Sequence, residues 1–281
     1  MDIRWLEQNE ADVPAENDWL SASEAIRLHG MRFAKRRADW RLGRWTAKRA
    51  VAVYLDMSLH PAALSAIEIR PAPSGAPEVF IASRPAAITI SISHRDGTAA
   101  CALAPIGAAL GCDLETIEAR SDAFVADYFT PEEQALVARV AAAERPRLAT
   151  LLWSGKESAL KALGAGLRFD TRCVIVSPID GLGRGGENLE GREEDSVFGF
   201  RPSPGANFWQ PLHVRYDNNR NFHGWWQLKG NLLRTMVAEP PPFPPILLNV
   251  PADYASATSR LPQKTGSFNS IPAVVRPRFP A

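Results

Sequence analysis

Asp113 and Glu115 stand two residues apart in GCDLE, so on an extended strand both side chains project from one face. Carboxylates held that close repel one another unless a cation lies between them. A hard divalent ion such as magnesium takes one or two carboxylates and fills its other positions with water and phosphate oxygens. For an isolated pair, the plainer reading is a strand end with two solvated acids. Further on, WSGKESALKALGAGL carries Glu157 and Lys161 four residues apart, neighbours on one helical face, with Lys156 adjacent. On an exposed helix such a pair adds only about 0.2–0.5 kcal/mol. Here Trp153, Leu160 and Leu163 surround it with apolar surface, which implies partial burial. In that setting the carboxylate suits a third metal ligand or a general base, and the ammonium suits a phosphoryl leaving group.

Two further elements favour a phosphate-rich ligand. Arg37, Arg41, Arg44 and Lys48 recur at steps of four, three and four, a single helical stripe with Asp39 as the acid nearby. A solvated helix usually mixes signs, whereas concentrated positive charge fits a small polyanion. His94, in ISHRDG, ends a strand just before a turn, where a side chain can reach into a cleft or simply face solvent.

These residues need a scaffold. SASEAIRLHG opens with a capping-box pattern from Ser21 to Glu24, and its helix runs on, with a break at Gly30, into a long basic one. SAIEIRPAPSGAPEVFI reads as strand, Pro/Gly turn and strand. In AAITISISHRDGTAACALAP, Ile88, Ile90 and Ile92 alternate with polar residues before RDG turns the chain into a second apolar strand. The strand carrying Asp113 follows. Thr130, Pro131 and Glu133 then start a helix, and the helix of Glu157 comes next. CVIVSPI, VFGFRP and the two halves of FHGWWQLKGNLLRTMVA read as strands, with a flexible loop over GLGRGGENLEGREED. From Glu239 the chain is rich in Pro, Ser and Thr without an apolar period, and is expected to be largely disordered. Helical material followed by strands occurs twice. This suggests an α+β protein of two similar subdomains, 1–108 and 109–238, with a tail over 239–281.

Composition excludes several classes. The 281 residues are 46% hydrophobic, enough for a real core. A net charge of +1 and the absence of a recognisable nucleic-acid motif argue against a nucleic-acid partner. No window reaches the roughly 20 apolar residues of a membrane span, and the acidic start has no apolar signal region. Cys101, Cys112 and Cys173 show no CxxC spacing and read as reduced residues of a cytoplasmic protein.

Taken together and in this order, ISH, GCDLE and WSGKESALKALGAGL resemble the 4′-phosphopantetheinyl transferases of the surfactin-synthetase-activating (Sfp) type. Forty residues separate Asp113 from Trp153, the spacing of that family's two motifs. The resemblance spans Arg32 to Ala238 and includes GAP at Gly75–Pro77 and WWQLKGNLLRTMV. It implies transfer of the phosphopantetheine arm of coenzyme A to a serine of an apo acyl or peptidyl carrier protein, with release of adenosine 3′,5′-bisphosphate. The carriers would be those of nonribosomal peptide, polyketide or fatty-acid synthesis. Asp113, Glu115 and Glu157 would gather around Mg²⁺. Glu157 would be the base, and Lys161, with Lys156 nearby, would stabilise the leaving side. Ser93, His94, Arg44, Lys48 and Arg70 would hold coenzyme A, His94 at its 3′-phosphate. The fold implied is two subdomains related by a pseudo-twofold with the site in the cleft between them, and a monomer is expected. Many members carry a lysine where this chain has Ala76, which bears on coenzyme A affinity. A non-catalytic coenzyme A-binding module and a metal-dependent phosphohydrolase are the competing readings.

Overall fold

A computed structural model of the chain describes residues 1–164, 169–178, 208–216 and 220–251. The N-terminal part contains β1 (Arg4–Asn9), α1 (Ala22–His29), the long α2 (Ala34–Tyr54), α3 (Pro61–Ser65), β2 (Ile67–Pro71), β3 (Pro77–Ile81) and β4 (Arg84–Pro85). The hairpin of β5 (Ile88–Arg95) and β6 (Thr98–Pro105) follows. Asp96 and Gly97 join its strands, both at positive φ (45° and 71°) as a two-residue hairpin turn demands. The C-terminal part has β7 (Ala109–Thr116), α4 (Asp122–Tyr128), α5 (Pro131–Arg139), α6 (Arg145–Ala162), β8 (Val174–Pro178), β9 (Gln210–Tyr216), β10 (Arg220–Lys229), β11 (Leu232–Glu239) and β12 (Ile246–Leu247). The result is a mixed α+β architecture. Its sheets run β12-β1-β6-β5, β2-β3-β4 and β7-β11-β10-β9-β8.

Strand alternation decides how these layers pack. Cys101 and Leu103 of β6 point into a core with Trp45, Ala47 and Val51 of α2. The intervening Ala100, Ala102 and Ala104 face Leu110, Cys112 and Leu114 of β7 and Met236 of β11. Three alanines on one face let the two large sheets approach closely. On its other face the second sheet buries Phe222, Trp226, Leu233 and Val237 under Leu148, Leu151, Leu152 and Leu160 of α6. At Gly111 the helix all but touches the strand, for a Cβ there would lie 1.7 Å from the carbonyl oxygen of Ser158.

One polar arrangement occurs twice. Glu24, third residue of α1, accepts the Ser21 amide (3.1 Å), the Ile69 amide of β2 (3.2 Å) and the ammonium of Lys48 on α2 (2.5 Å). Glu133, third residue of α5, accepts the Thr130 amide (2.9 Å), the Val176 amide of β8 (2.9 Å) and the ammonium of Lys156 on α6 (2.7 Å). Each lysine also donates to two backbone carbonyls, Trp19 and Leu64 for Lys48, Thr171 and Val174 for Lys156. In both cases a capping-box carboxylate ties a short helix, a strand edge and a long helix together.

The chain beyond Glu239 departs from the sequence expectation. β12 adds in parallel to β1, with Arg4 opposite Ile246 and Trp5 opposite Leu247. The Trp225 indole also donates to the Pro242 carbonyl at 3.2 Å. The amides of Phe243, Ile246 and Leu248 bond to the carbonyls of Met1, Ile3 and Trp5, so no apolar period is required. VFGFRP, the glycine-rich loop before it and residues 252–281 lie outside the described residues.

Because Lys156 is fully enclosed against Glu133, Lys156→Met should lower the unfolding free energy by about 3–5 kcal/mol. Urea denaturation measures this. A loss below about 1 kcal/mol would show that the backbone amides alone satisfy Glu133.

Candidate active site

β5 and β7 advance side by side, joined through serine hydroxyls. Ser91 Oγ accepts the Cys112 amide at 2.9 Å, and Ser93 Oγ accepts the Leu114 amide at 3.2 Å. Alternation on β7 sends Leu110, Cys112 and Leu114 into the seam between the sheets, so Asp113 and Glu115 face α6. There Asp113 meets donors from both halves of the molecule. Its Oδ1 accepts from Ser93 (2.9 Å) and from Lys161 (2.8 Å), and its Oδ2 accepts from Ser154 (2.8 Å). Lys161 also donates to Ser93 Oγ (3.2 Å) and to the Cys112 carbonyl (2.9 Å).

Glu115 is held by different donors. The Trp153 indole reaches it at 3.0 Å, Arg95 at 3.4 Å and Arg120 at 3.3 Å. Burial, then Asp113, raises its pKa, and the two arginines and the indole oppose that rise. Glu157, half-buried on α6, is pushed up to about 7, first by burial and then by Asp113 and Glu115 against the pull of Lys161. Burial works against the charge of Lys161, but Asp113, Cys112 and Glu157 outweigh it and its pKa is raised. Asp113, Glu115, Glu157 and Lys161 therefore form one electrostatic unit with an excess of negative charge. Its oxygen donors suit a hard divalent cation. Among the described residues, however, no three His, Cys, Asp or Glu side chains are gathered in metal-binding geometry.

His94 borders a depression of about 520 Å³ lined also by Phe33, Lys35, Arg36, Asp39 and Trp40. Its ring is exposed at the edge, yet partial burial, foremost, lowers its pKa. Lys161 and Lys35 push the same way, while Asp39 and Asp113 oppose.

The structure divides the residues singled out from sequence. It brings together Ser93, Asp113, Glu115, Glu157 and Lys161, with His94 next along β5 from Ser93. Arg44 lies above the Trp40 ring at 5.1 Å, 3.8 Å from Glu24, and does not line the depression. Arg70 is remote in connectivity, on β2, paired with Glu68 at 2.5 Å and stacked on Phe80. Two lysines are corrected. Lys48 and Lys156 have no exposed surface and are spent on Glu24 and Glu133. Adjacent helical residues point about 100° apart, so Lys156 cannot share the face of Glu157. The basic stripe is likewise not one surface. Arg37 donates to the Met31 carbonyl and Arg41 to those of Ala15 and Glu16, and the cations at the depression are Lys35 and Arg36.

Four contributors escaped the sequence reading. Ser154 had a signal, since with Ser158 and Lys161 it forms a polar stripe at i, i+4 and i+7. Arg95 stands inside the quoted ISHRDG. Arg120 and Thr235 gave no local signal, and the latter lies in an apolar strand.

Residues 109–197 match the family model of the 4′-phosphopantetheinyl transferase superfamily. The matched transferase-superfamily segment starts at the first residue of β7 and contains Asp113, Glu115, Glu157 and Lys161. Ser93, His94 and the α2 cations precede it. No curated protein matches the chain.

The raised Glu157 pKa has a measurable consequence. The folded state holds a proton that the unfolded state releases near the ordinary carboxylate value, so stability falls as pH rises from about 4.5 to about 7. In EDTA, Glu157→Gln should remove this fall and be more stable than the parent at pH 8 by about 1–3 kcal/mol. Parallel thermal-denaturation profiles against pH for the two proteins would contradict the assignment.

Proposed function

We propose that this chain is a 4′-phosphopantetheinyl transferase of the surfactin-synthetase-activating type. It moves the phosphopantetheine arm of coenzyme A to a serine of an apo carrier protein. The observation that carries this reading is the meeting at the β5–β7 seam. Acids and Lys161 of the matched segment bond to Ser93 there, one residue from the His94 that opens on a cationic depression. The doubled Glu24–Lys48 and Glu133–Lys156 arrangement supports the further reading that the halves are related by a pseudo-twofold. One chain then supplies both walls of the cleft and acts as a monomer in the cytoplasm.

In the transfer, the carrier serine oxygen bonds to the phosphorus bearing pantetheine, and the bond from that phosphorus to the bridging diphosphate oxygen breaks. Adenosine 3′,5′-bisphosphate leaves with the bond's electron pair. Glu157 takes the serine proton, directly or through water. A positioned base contributes about 10²–10⁴-fold. Lys161, fixed by Asp113 and Ser93, stabilises charge on the leaving 5′-phosphate. His94, Lys35 and Arg36 receive the nucleotide phosphates, His94 at the 3′-phosphate, with Arg44 behind them. Asp113 and Glu157, with Glu115 beside them, would hold Mg²⁺, which when bound neutralises the diphosphate. Glu115 enters that role while shared with Arg95, Arg120 and Trp153.

Intact-protein mass spectrometry of apo carrier domains incubated with the chain, coenzyme A and Mg²⁺ tests the reading. A phosphopantetheine-sized gain that EDTA abolishes is expected. Coenzyme A binding without gain on peptide, polyketide and fatty-acid carriers alike would instead indicate a binding module. Glu157→Ala should lower kcat by about 10²–10⁴-fold with coenzyme A still bound. His94→Ala should raise the KM of coenzyme A several-fold and leave that of 3′-dephospho-coenzyme A nearly unchanged; equal increases would remove His94 from the 3′-phosphate.

A further inference from the structure

Behind Asp113 lies a set of hydroxyls that the transfer chemistry leaves unexplained. A carboxylate has no proton to give, so Ser154 must be the donor in its 2.8 Å bond to Asp113 Oδ2. That uses the one proton of Ser154, and its oxygen becomes an acceptor for Thr235 Oγ1, 2.8 Å away. Thr235 can share its proton with the Ser154 carbonyl at 3.0 Å. Either way the Thr235 oxygen is left to accept from Ser158 Oγ at 2.7 Å. The alternative acceptor for Ser158, the Thr235 carbonyl, is farther at 3.3 Å. The direction that keeps all three of the shortest contacts as hydrogen bonds runs from Ser158 to Thr235 to Ser154 to Asp113. Ser154, Ser158 and Thr235 have no exposed surface, so bulk water cannot replace a missing member.

The fold places this relay deliberately close to the site. β11 pairs with β7 so that Thr235 stands directly opposite Asp113, both facing α6. The helix supplies the two serines one turn apart, at the point where Gly111 lets its backbone approach. We infer that Thr235 is a positioning residue for Asp113. Its hydroxyl fixes the Ser154 rotor, and with it the direction in which Asp113 presents its second oxygen. It touches neither substrate nor reacting atoms. The assignment rests on the transferase reading, in which Asp113 is a ligand of the divalent cation.

A purely structural role, hydroxyls that only glue β11 to α6, makes a different forecast. Thr235→Val keeps the shape and removes the hydroxyl, whereas Thr235→Ser keeps the hydroxyl and removes a methyl. Both variants and the parent are compared in carrier-loading kinetics and in Mn²⁺ binding, read from the EPR signal of the free ion. T235V should lose about 10-fold in kcat and about 10-fold in Mn²⁺ affinity, the effect of one buried hydrogen bond. Its KM for coenzyme A should stay within about 2-fold. T235S should recover both losses to within about 3-fold. The inference is overturned if T235V matches the parent in both readouts, or if T235S is as impaired as T235V. Should T235V not fold, Ser154→Ala removes the same donor from the helix side, and unchanged Mn²⁺ affinity there overturns the inference equally. A parent that binds Mn²⁺ but loads no carrier defeats the transferase reading instead, and the Mn²⁺ comparison then decides the role of Thr235 by itself.

Discussion

A buried ammonium beside a buried carboxylate is the constraint on which this architecture turns. Taking either charge out of water costs several kcal/mol, recovered only if the pair is close and its remaining hydrogen-bonding capacity is filled. Glu24 with Lys48 and Glu133 with Lys156 meet that demand in the same way. One carboxylate oxygen takes the helix-cap amide and the ammonium, the other takes a strand amide. Two backbone carbonyls complete each lysine. Three separate stretches of chain must be in register before such a group is satisfied. Each long helix is thereby fixed in rotation about its own axis, and rotation decides which of its residues face the seam.

That consequence reaches the site directly. With Lys156 anchored to Glu133, the turn of α6 presents Ser154, Glu157, Ser158 and Lys161 toward β7 and β11. Lys161 is then answered from both halves, by Ser93 on β5 and by Asp113 and the Cys112 carbonyl on β7. A second pair spans the same interface at its far side. Arg234 of β11, only 2% exposed, makes two 2.6 Å bonds to Glu7 of β1. Bidentate geometry of this kind constrains orientation as well as distance. Between the two pairs lie the alanine face of β6 and the apolar face of β7, which set the spacing.

Much of this was legible in the sequence because it is local. Capping boxes at Ser21 and Thr130, the hairpin turn at Asp96–Gly97 and the alternation of β5 each depend on residues within a few positions of one another. The pairing of Asp113 with the helix of Glu157 and Lys161 was also readable, through motif spacing. Burial partners were not. Lys48 and Lys156 carry the same side chain as a phosphate-binding lysine, and what disqualifies them is a glutamate more than twenty residues upstream. Thr235 is similarly opaque, because its role depends on strand register across a sheet. β12 was missed for another reason, since a strand that completes an edge through its amides needs no apolar pattern.

Negative charge at the site follows from the same economy of partners. Lys48 and Lys156 are consumed by capping carboxylates, and Arg95 and Arg120 are drawn to Glu115 and Glu118 at the rim. Lys161 is left to face Asp113 and Glu157 together, and one ammonium cannot balance two carboxylates with a third nearby. Burial first, and then that deficit, raise the Glu157 pKa. A proton can fill it, or a cation can, and the two compete for the same oxygens. A divalent cation bound there, as the proposed function has it, would bind more strongly as pH rises, because deprotonating Glu157 exposes the charge that the cation neutralises.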